Sequence, residues 1–521
     1  MDSDVKRTGL DDRNNSAATL PSESNSSAAF GISPRGAELR RSLRLITVSW
    51  MFGSIYFATT GTGAPITLFA QGLGASKFQF GLLSAMPFLA SLLSLPSSVL
   101  MARTGQRKWI FFWTHIAHRI IWLPVALVPV WIMQIGGGGP SSTAVRSFLI
   151  LVFLNYAGQA IGAPAWFSWM ADIVPDELRG RYFARRRSWG IVTAIPAAII
   201  TGVLLDRLRQ SGASSDVLRS LRWCGYIFMF AAWMGLTDIS LFAPVPDVRA
   251  VPHKRSLLHI FSRPLRDRHF LFFAGYVGTL AFAANLIGQF LTLYLIEKLK
   301  VTNTSVQLML LVAPSLAQLL MLSVWGHAVD RMGKKPVLAL ASLGLVPVAF
   351  GWCLMSSGAI WLGYILTSAG AALQAGVDMA NSNMILEMGG TSDTEGTAGT
   401  SYVAVNAFII NVAGCFGGLF AGLLAQSLQH WSYDTGILGL GSIGFYEVLF
   451  ILSALLRLLA LVVFLPKLHE PTAKPTHVTF RFVTANVYAN LYYALALPLR
   501  GIRRRDEGKG RRDEDQKRAP G

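Results

Sequence analysis

Charge is scarce in this sequence. Only 14% of its 521 residues are Asp, Glu, Lys or Arg, where a soluble globular chain carries roughly 25%. That is too little polar surface for a fold bathed in water, so a soluble enzyme is excluded. Cysteine is scarcer still. Cys224, Cys353 and Cys415 all lie in apolar stretches, which leaves neither a disulfide framework nor a zinc site. Enzyme motifs are missing too. No G-x-x-x-x-G-K-[ST] loop occurs, since Gly136 to Gly139 run into Pro140, and there is no H-E-x-x-H, C-x-x-C or G-x-S-x-G. ATP hydrolysis, membrane proteolysis and esterase chemistry have no residues to rest on, and neither a cofactor nor a metal is expected. Acids are the minority sign, 28 against 46 Lys plus Arg, for a net charge of +18. Such an excess can mark a nucleic-acid binder, but here the cations flank apolar runs, as in membrane proteins, so no nucleic-acid partner is expected.

What the sequence has in abundance is apolar residues, 52% of the total, at a mean hydropathy of +0.45. A helix needs about 20 of them to cross the hydrocarbon core. Twelve stretches qualify, at 44–70, 77–101, 108–133, 146–170, 187–207, 221–243, 269–296, 305–328, 336–356, 359–386, 400–427 and 443–466. All are expected to be helical, because lipid offers the backbone no other partner along a single span. The organisation that follows is a disordered tail over 1–43, six helices over 44–243, a central loop over 244–268, six helices over 269–466 and a tail over 467–521. The first tail has no apolar h-region, so no cleavable signal peptide is expected.

Basic residues orient the chain. Arg35, Arg40, Arg41 and Arg44 precede span 1. Loop 2–3 has Arg103, Arg107 and Lys108, loop 4–5 has Arg179, Arg181 and Arg185 to Arg187, and loop 8–9 has Arg331, Lys334 and Lys335. The central loop adds six more cations, from Arg249 to Arg268. The opposite loops are poorer; only loop 5–6, with Arg207, Arg209, Arg219 and Arg222, competes. The positive-inside rule places both termini in the cytoplasm of a multi-pass cell-membrane protein. In the second tail, Phe480, Phe482, Tyr488, Tyr492 and Tyr493 followed by Arg500 to Arg505 suit a helix lying in the membrane interface on anionic lipid headgroups.

The two halves repeat. After span 8 the chain runs Gly326-His-Ala-Val-Asp330-Arg331-Met-Gly333-Lys334-Lys335, and after span 2 it runs Ser98-Val-Leu-Met-Ala102-Arg103-Thr-Gly105-Gln-Arg107-Lys108. A duplicated six-span unit is a construction of secondary transporters. On these residues the sequence resembles the major facilitator superfamily, whose signature is G-x-x-x-D-R-x-G-R/K-R/K. The second copy matches it; the first has Ala102 in place of Asp and Ser98 in place of Gly. Trp169-Met-Ala-Asp172 through Arg179-Gly180-Arg181 is similar to the end of span 4 in bacterial members, and Asn383-Met-Ile-Leu-Glu387 is its partner in the second half. The resemblance implies an all-α membrane fold of two pseudosymmetric six-helix bundles, with spans 1, 4, 7 and 10 lining a central cavity.

Polar residues inside spans are the site candidates, because ionisable groups at bilayer depth are costly unless paired or wet. Asn155 and Gln159, Asn285 and Gln289, and Gln374 and Asp378 are each spaced four, so each pair shares a helix face. They sit on spans 4, 7 and 10. Span 1 adds Tyr56, Thr59 and Thr60 ahead of Gly61-Thr62-Gly63-Ala64-Pro65, where Pro removes a donor and interrupts the helix. Asp378, Asp238, Arg119 and His115 are candidates for coupling to protons. Packing devices satisfied by helix neighbours are the competing role for Arg119, Asp238 and Arg457. Asp330, Arg331, Arg103, Arg107, Arg179, Arg181 and Glu395 are candidates for a cytoplasmic gate. Gly414, Gly418 and Gly422 on span 11 suit close helix packing. The expectation is a monomeric secondary active transporter, moving a small solute by alternating access and coupled to protons or another ion. The alternatives are an uncoupled facilitator, a non-transporting sensor or scaffold of the same fold, and, less favoured, a channel.

Overall fold

The computed structural model describes residues 36–61, 63–210, 217–248, 264–390, 398–434, 442–468, 470 and 473–486. Span 1 is two helices, Gly36–Thr60 and Ala64–Leu73. The break falls where expected: Pro65 stands in the first turn of the second piece and Gly63 caps it in extended conformation. Span 2 is Lys77–Ser91 and Ser94–Thr104, and span 3 is Arg107–Ile120 and Trp122–Ile135. Pro87 lies one turn before the first bend and Pro124 just after the second, each withdrawing an N–H from the ladder. Spans 4, 5 and 6 are Ser142–Ile173, Asp176–Gln210 and Val217–Ser240. Span 7 is Arg268–Leu293, prolonged by a π turn over Tyr294–Lys298. Span 8 is Asn303–Gln307, a π turn over Leu308–Val312 ahead of Pro314, and Ala313–Met332. Spans 9 to 12 are Lys334–Gly351, Ile360–Gly390, Ala398–Ser427 and Phe445–Val463.

Among the described residues, ten helices are long and apolar enough to cross a membrane. The interrupted span 1 and span 6, which begins with Arg219 and Arg222 and carries Asp238, complete the series. Span 5 begins at Asp176, well before the expected 187. Its arginines are wound onto the helix, because the Arg186 guanidinium stacks on Trp50 (4.3 Å) and Trp166 (4.9 Å) and needs no loop to reach water.

Packing is duplicated as the chain is. Span 1 packs on spans 5 and 6 as span 7 packs on 11 and 12, and span 3 packs on 4 and 6 as span 9 packs on 10 and 12. The face carrying loops 2–3, 4–5 and 8–9, the basic face, shows the repeat residue by residue. Gly105 (φ 67°) ends span 2 and Gly333 (φ 101°) ends span 8, conformations that disfavour any side chain. Arg107 then pairs with Asp172 at the end of span 4, and Lys334 with Glu387 at the end of span 10. One residue on, Lys108 Nζ donates to the carbonyls of Ala243 (2.8 Å) and Val245 (2.7 Å) after span 6. Lys335 Nζ does the same to Leu468 (2.6 Å) after span 12.

Past span 12, residues 476–486 form a helix with Thr479 and Val483 buried. It lies beside loop 8–9, and Glu470 ahead of it bonds the same loop. Glu470 accepts from the backbone N–H of Lys334 (2.9 Å) and Lys335 (2.6 Å), and the Phe482 ring lies 6.0 Å from the Arg331 guanidinium. The aromatic and basic residues beyond 486, like the first 35 residues, lie outside the described residues.

Candidate functional site

In the first half a charged network is sealed among spans 1, 3, 4 and 6. Arg119 Nη2 donates to Asp238 Oδ2 (2.9 Å), and Ser49 Oγ donates to Asp238 Oδ1 (2.6 Å). The guanidinium lies 3.6 Å from the centre of the Tyr56 ring. Tyr56 Oη accepts from Trp122 Nε1 (2.7 Å) and Asn155 Nδ2 (3.4 Å), and Asn155 also donates to the His118 carbonyl (2.5 Å). Glycines admit the charges: a Cβ on Gly53 would stand 2.7 Å from Asp238 Oδ2, and one on Gly235 would stand 2.5 Å from Arg119 Cδ. His115 is buried beside the network, its Nδ1 3.1 Å from the Phe111 carbonyl. Buried charges persist only when paired and hydrogen-bonded, and here the sequence's two isolated ions are one pair.

The halves are joined on the face opposite the basic one. Span 2 lies on span 11 with backbones in contact: a Cβ on Gly81 would fall 2.3 Å from Gly422 Cα, and one on Gly418 would fall 3.1 Å from Ala85 Cα. Asp206 on span 5 accepts four bonds from the start of span 8. They come from the N–H groups of Asn303 (2.7 Å) and Thr304 (2.9 Å) and from the side chains of Asn303 (3.0 Å) and Thr304 (2.7 Å). A carboxylate there answers both the unpaired N–H groups and the positive end of the helix dipole. Lys77 pairs with Glu297 (2.6 Å), Gln289 Nε2 donates to Thr67 Oγ1 (3.5 Å), and Gln307 Nε2 donates to the Ala58 carbonyl (3.4 Å). Of these crossing bonds, the one furthest toward the basic face joins Arg187 Nη2 to Gln318 Oε1 (2.5 Å). Toward that face, Ser94–Thr104 of span 2 packs on span 4 of its own half, whereas Lys77–Ser91 packs on span 4 and also across the junction on spans 11 and 7.

In the second half, Gln374 Nε2 donates to Asp378 Oδ1 (2.9 Å), and Asp378 is exposed. Gln374 lines an open cavity of about 270 Å³ between spans 7, 8, 9, 10 and 12, which Arg457 also lines.

A model of the Major Facilitator Superfamily matches residues 48–417 and 280–503. The chain belongs to this superfamily. Solved transporters share its fold. A bacterial homologue of the human lysosomal transporter Spinster, inward-facing and unoccupied, superposes with a TM-score of 0.58 at 14% identity, over 84% of this chain and 100% of its own. A variant of the nucleoside transporter NupG gives 0.57 at 10%, over 83% and 100%. The E. coli fucose:proton symporter FucP gives 0.50 at 14%, over 83% and 99%. No curated protein matches the sequence significantly.

Among superfamily features, the structure uses the residues picked from sequence in several distinct ways. Tyr56 and Asn155 serve the sealed network together with Arg119 and Asp238. Thr59 and Thr60 return their hydroxyls to their own helix, at the Tyr56 carbonyl (2.9 and 2.8 Å). Gln289 belongs to the junction, Asn285 donates to Ala281 of its own helix (3.3 Å), and Gln159 is half-buried. Of the gate candidates, Arg107 is held by Asp172 within its half, and Arg179 Nη2 donates to the Ala171 carbonyl (2.8 Å) at the end of span 4. Arg103, Arg181 and Asp330 are exposed, and Asp330 does not meet Arg185 to Arg187 in this conformation. Glu395 lies outside the described residues. Sequence analysis missed Asp206, whose role requires knowing that spans 5 and 8 meet end to side. It also missed Trp122, which carried no signal apart from lying near Arg119.

Proposed function

We propose that the chain is a secondary active transporter that carries a small solute by alternating access, with the basic face in the cytoplasm. The observation that carries the reading is the one-sided junction between the halves. Gly81 against Gly422 and Asp206 on the start of span 8 close one face, while toward the other the described end of span 2, Ser94–Thr104, packs on span 4 of its own half. The excess of cations on loops 2–3, 4–5 and 8–9 supports the orientation. Closure of the basic face then requires the junction to open, with the two six-helix halves rocking about the site between them. Protons are the coupling ion in this reading, and Asp378 is the group that exchanges them. It is an acid on a cavity helix, held by a single amide and exposed.

Spin-label distances test the alternation without knowledge of the solute. With Cys224, Cys353 and Cys415 replaced by alanine, one labelled pair replaces Thr104 and His327 on the basic face. A second pair replaces Ser76 and Lys300 on the other. The expected result is two populations per pair, the basic-face distance shortening in the state where the other lengthens. A single fixed distance on both faces in lipid would leave a scaffold, not a carrier.

A further inference from the structure

Among the described residues two arginines are buried, and their surroundings differ. Arg119 in the first half is 2% exposed and is neutralised by Asp238. Arg457 on span 12 is 7% exposed, and among the described residues no carboxylate pairs with it. Its one protein hydrogen bond is long, from Nε to Ser453 Oγ (3.4 Å), and that hydroxyl already donates to the Ala283 carbonyl (2.6 Å). The acids nearest along the helices are committed elsewhere. Asp378 is held by Gln374, and Glu447 takes Lys298 (2.5 Å) and the N–H of Gly444 (2.8 Å).

In place of an acid, Arg457 faces a cavity. The space of about 270 Å³ is walled by apolar side chains, among them Leu310, Pro314, Leu366 and Trp352, with Thr367, Gln374 and Arg457 as polar points, the Thr367 hydroxyl being turned back to its own helix. A guanidinium presents a planar fork of donors that matches a carboxylate two bonds at a time. A pocket of this kind, apolar with few polar groups, fixes a ligand's orientation by those groups. We propose that Arg457 is the anion-recognition residue of a binding site inside the second half, and that its ligand is a small monocarboxylate with an apolar body. The carboxylate supplies in the loaded protein the counter-charge that Asp238 supplies to Arg119. Lined by spans 7, 8, 9, 10 and 12, this site lies within one half and is additional to the transport site between the halves.

The test uses purified full-length protein and two matched pairs of probes, hexanoate with hexanamide and 3-phenylpropionate with 3-phenylpropanamide. Melting temperature is followed against concentration, because a ligand that binds only the folded protein raises it. At least one carboxylate should give a saturable rise that its isosteric amide does not. Arg457→Gln should weaken the half-saturating concentration by about ten- to a hundredfold, and Arg457→Lys should weaken it less. If Arg457→Gln does not fold, the acid-against-amide comparison in the parent and the lysine variant decide. Equal stabilisation by acid and amide, stabilisation by neither, or undiminished carboxylate selectivity in Arg457→Gln would each overturn the assignment. The spin-label distances use no ligand, so alternation of the two faces with no carboxylate preference would remove this proposal and leave the transporter.

Discussion

At the scale of single residues, the deciding quantity is whether a polar group at bilayer depth has a partner. Asp238 has two, Arg119 and Ser49, in a space that Gly53 and Gly235 leave free. Removing one charge of such a buried pair strands the other and costs about 3–5 kcal/mol. Asp238→Asn should therefore lower the thermal stability of the purified protein sharply, and Asp238→Asn with Arg119→Gln should recover part of the loss. Equal stability of parent and single variant would mean that Arg119 has another neutraliser. Asp378 is the opposite case, exposed and bonded to a neighbouring amide alone. Asp378→Asn keeps size and hydrogen bonding but removes titration. Under proton coupling it should abolish the response of the basic-face distance distribution to pH, and an unchanged response would leave Asp378 a structural residue.

Helical elements were the most legible level in the sequence. Twelve apolar runs became the helical segments, and the breaks in spans 1, 2, 3 and 8 fall beside Pro65, Pro87, Pro124 and Pro314. The glycine row of span 11 was also legible as packing, but its partner was not, because spacing tells which face is flat and says nothing of what lies on it. Gly414 meets Phe88, Gly418 meets Ala85 and Gly422 meets Gly81, so the row is part of the junction between halves. Asp206 illustrates the limit more sharply. From sequence it is an acid at the polar end of span 5; in the fold it caps a helix of the other half. Loss of a capping acid costs about 0.5–2 kcal/mol. Asp206→Ala should shift the population toward the state open on the face opposite the basic one, by roughly two- to thirtyfold on that energy. The labels replacing Ser76 and Lys300 would report it as a growing long-distance component. No change would show that the glycine contact alone holds the junction.

For the whole molecule, the two halves share a plan and differ in detail where the sequence does. The pairs Arg107–Asp172 and Lys334–Glu387 hold the same place in each half. The acid of the signature survives only as Asp330, since the first copy has Ala102. Asp330 is exposed here and idle. In the proposed cycle it works only when the basic face closes and brings span 8 to the start of span 5. Asp330→Asn should then leave melting temperature unchanged while depleting the short-distance component of the Thr104 and His327 labels. Loss of stability with unchanged populations would assign Asp330 to the present conformation.

The sequence by itself determined the membrane environment, the apolar helical segments, the repeat and the superfamily. These follow from composition and from local period, which depend on neighbours within a few turns. Only the tertiary structure decided which polar residues face each other. It turned Arg119 and Asp238 from two candidates into one pair and sent Tyr56 and Asn155 to support it. It also left Arg457 alone before a cavity. Residues 119 positions apart come together only because spans 3 and 6 cross at that depth. A buried charge is structural or functional according to what that crossing puts opposite it.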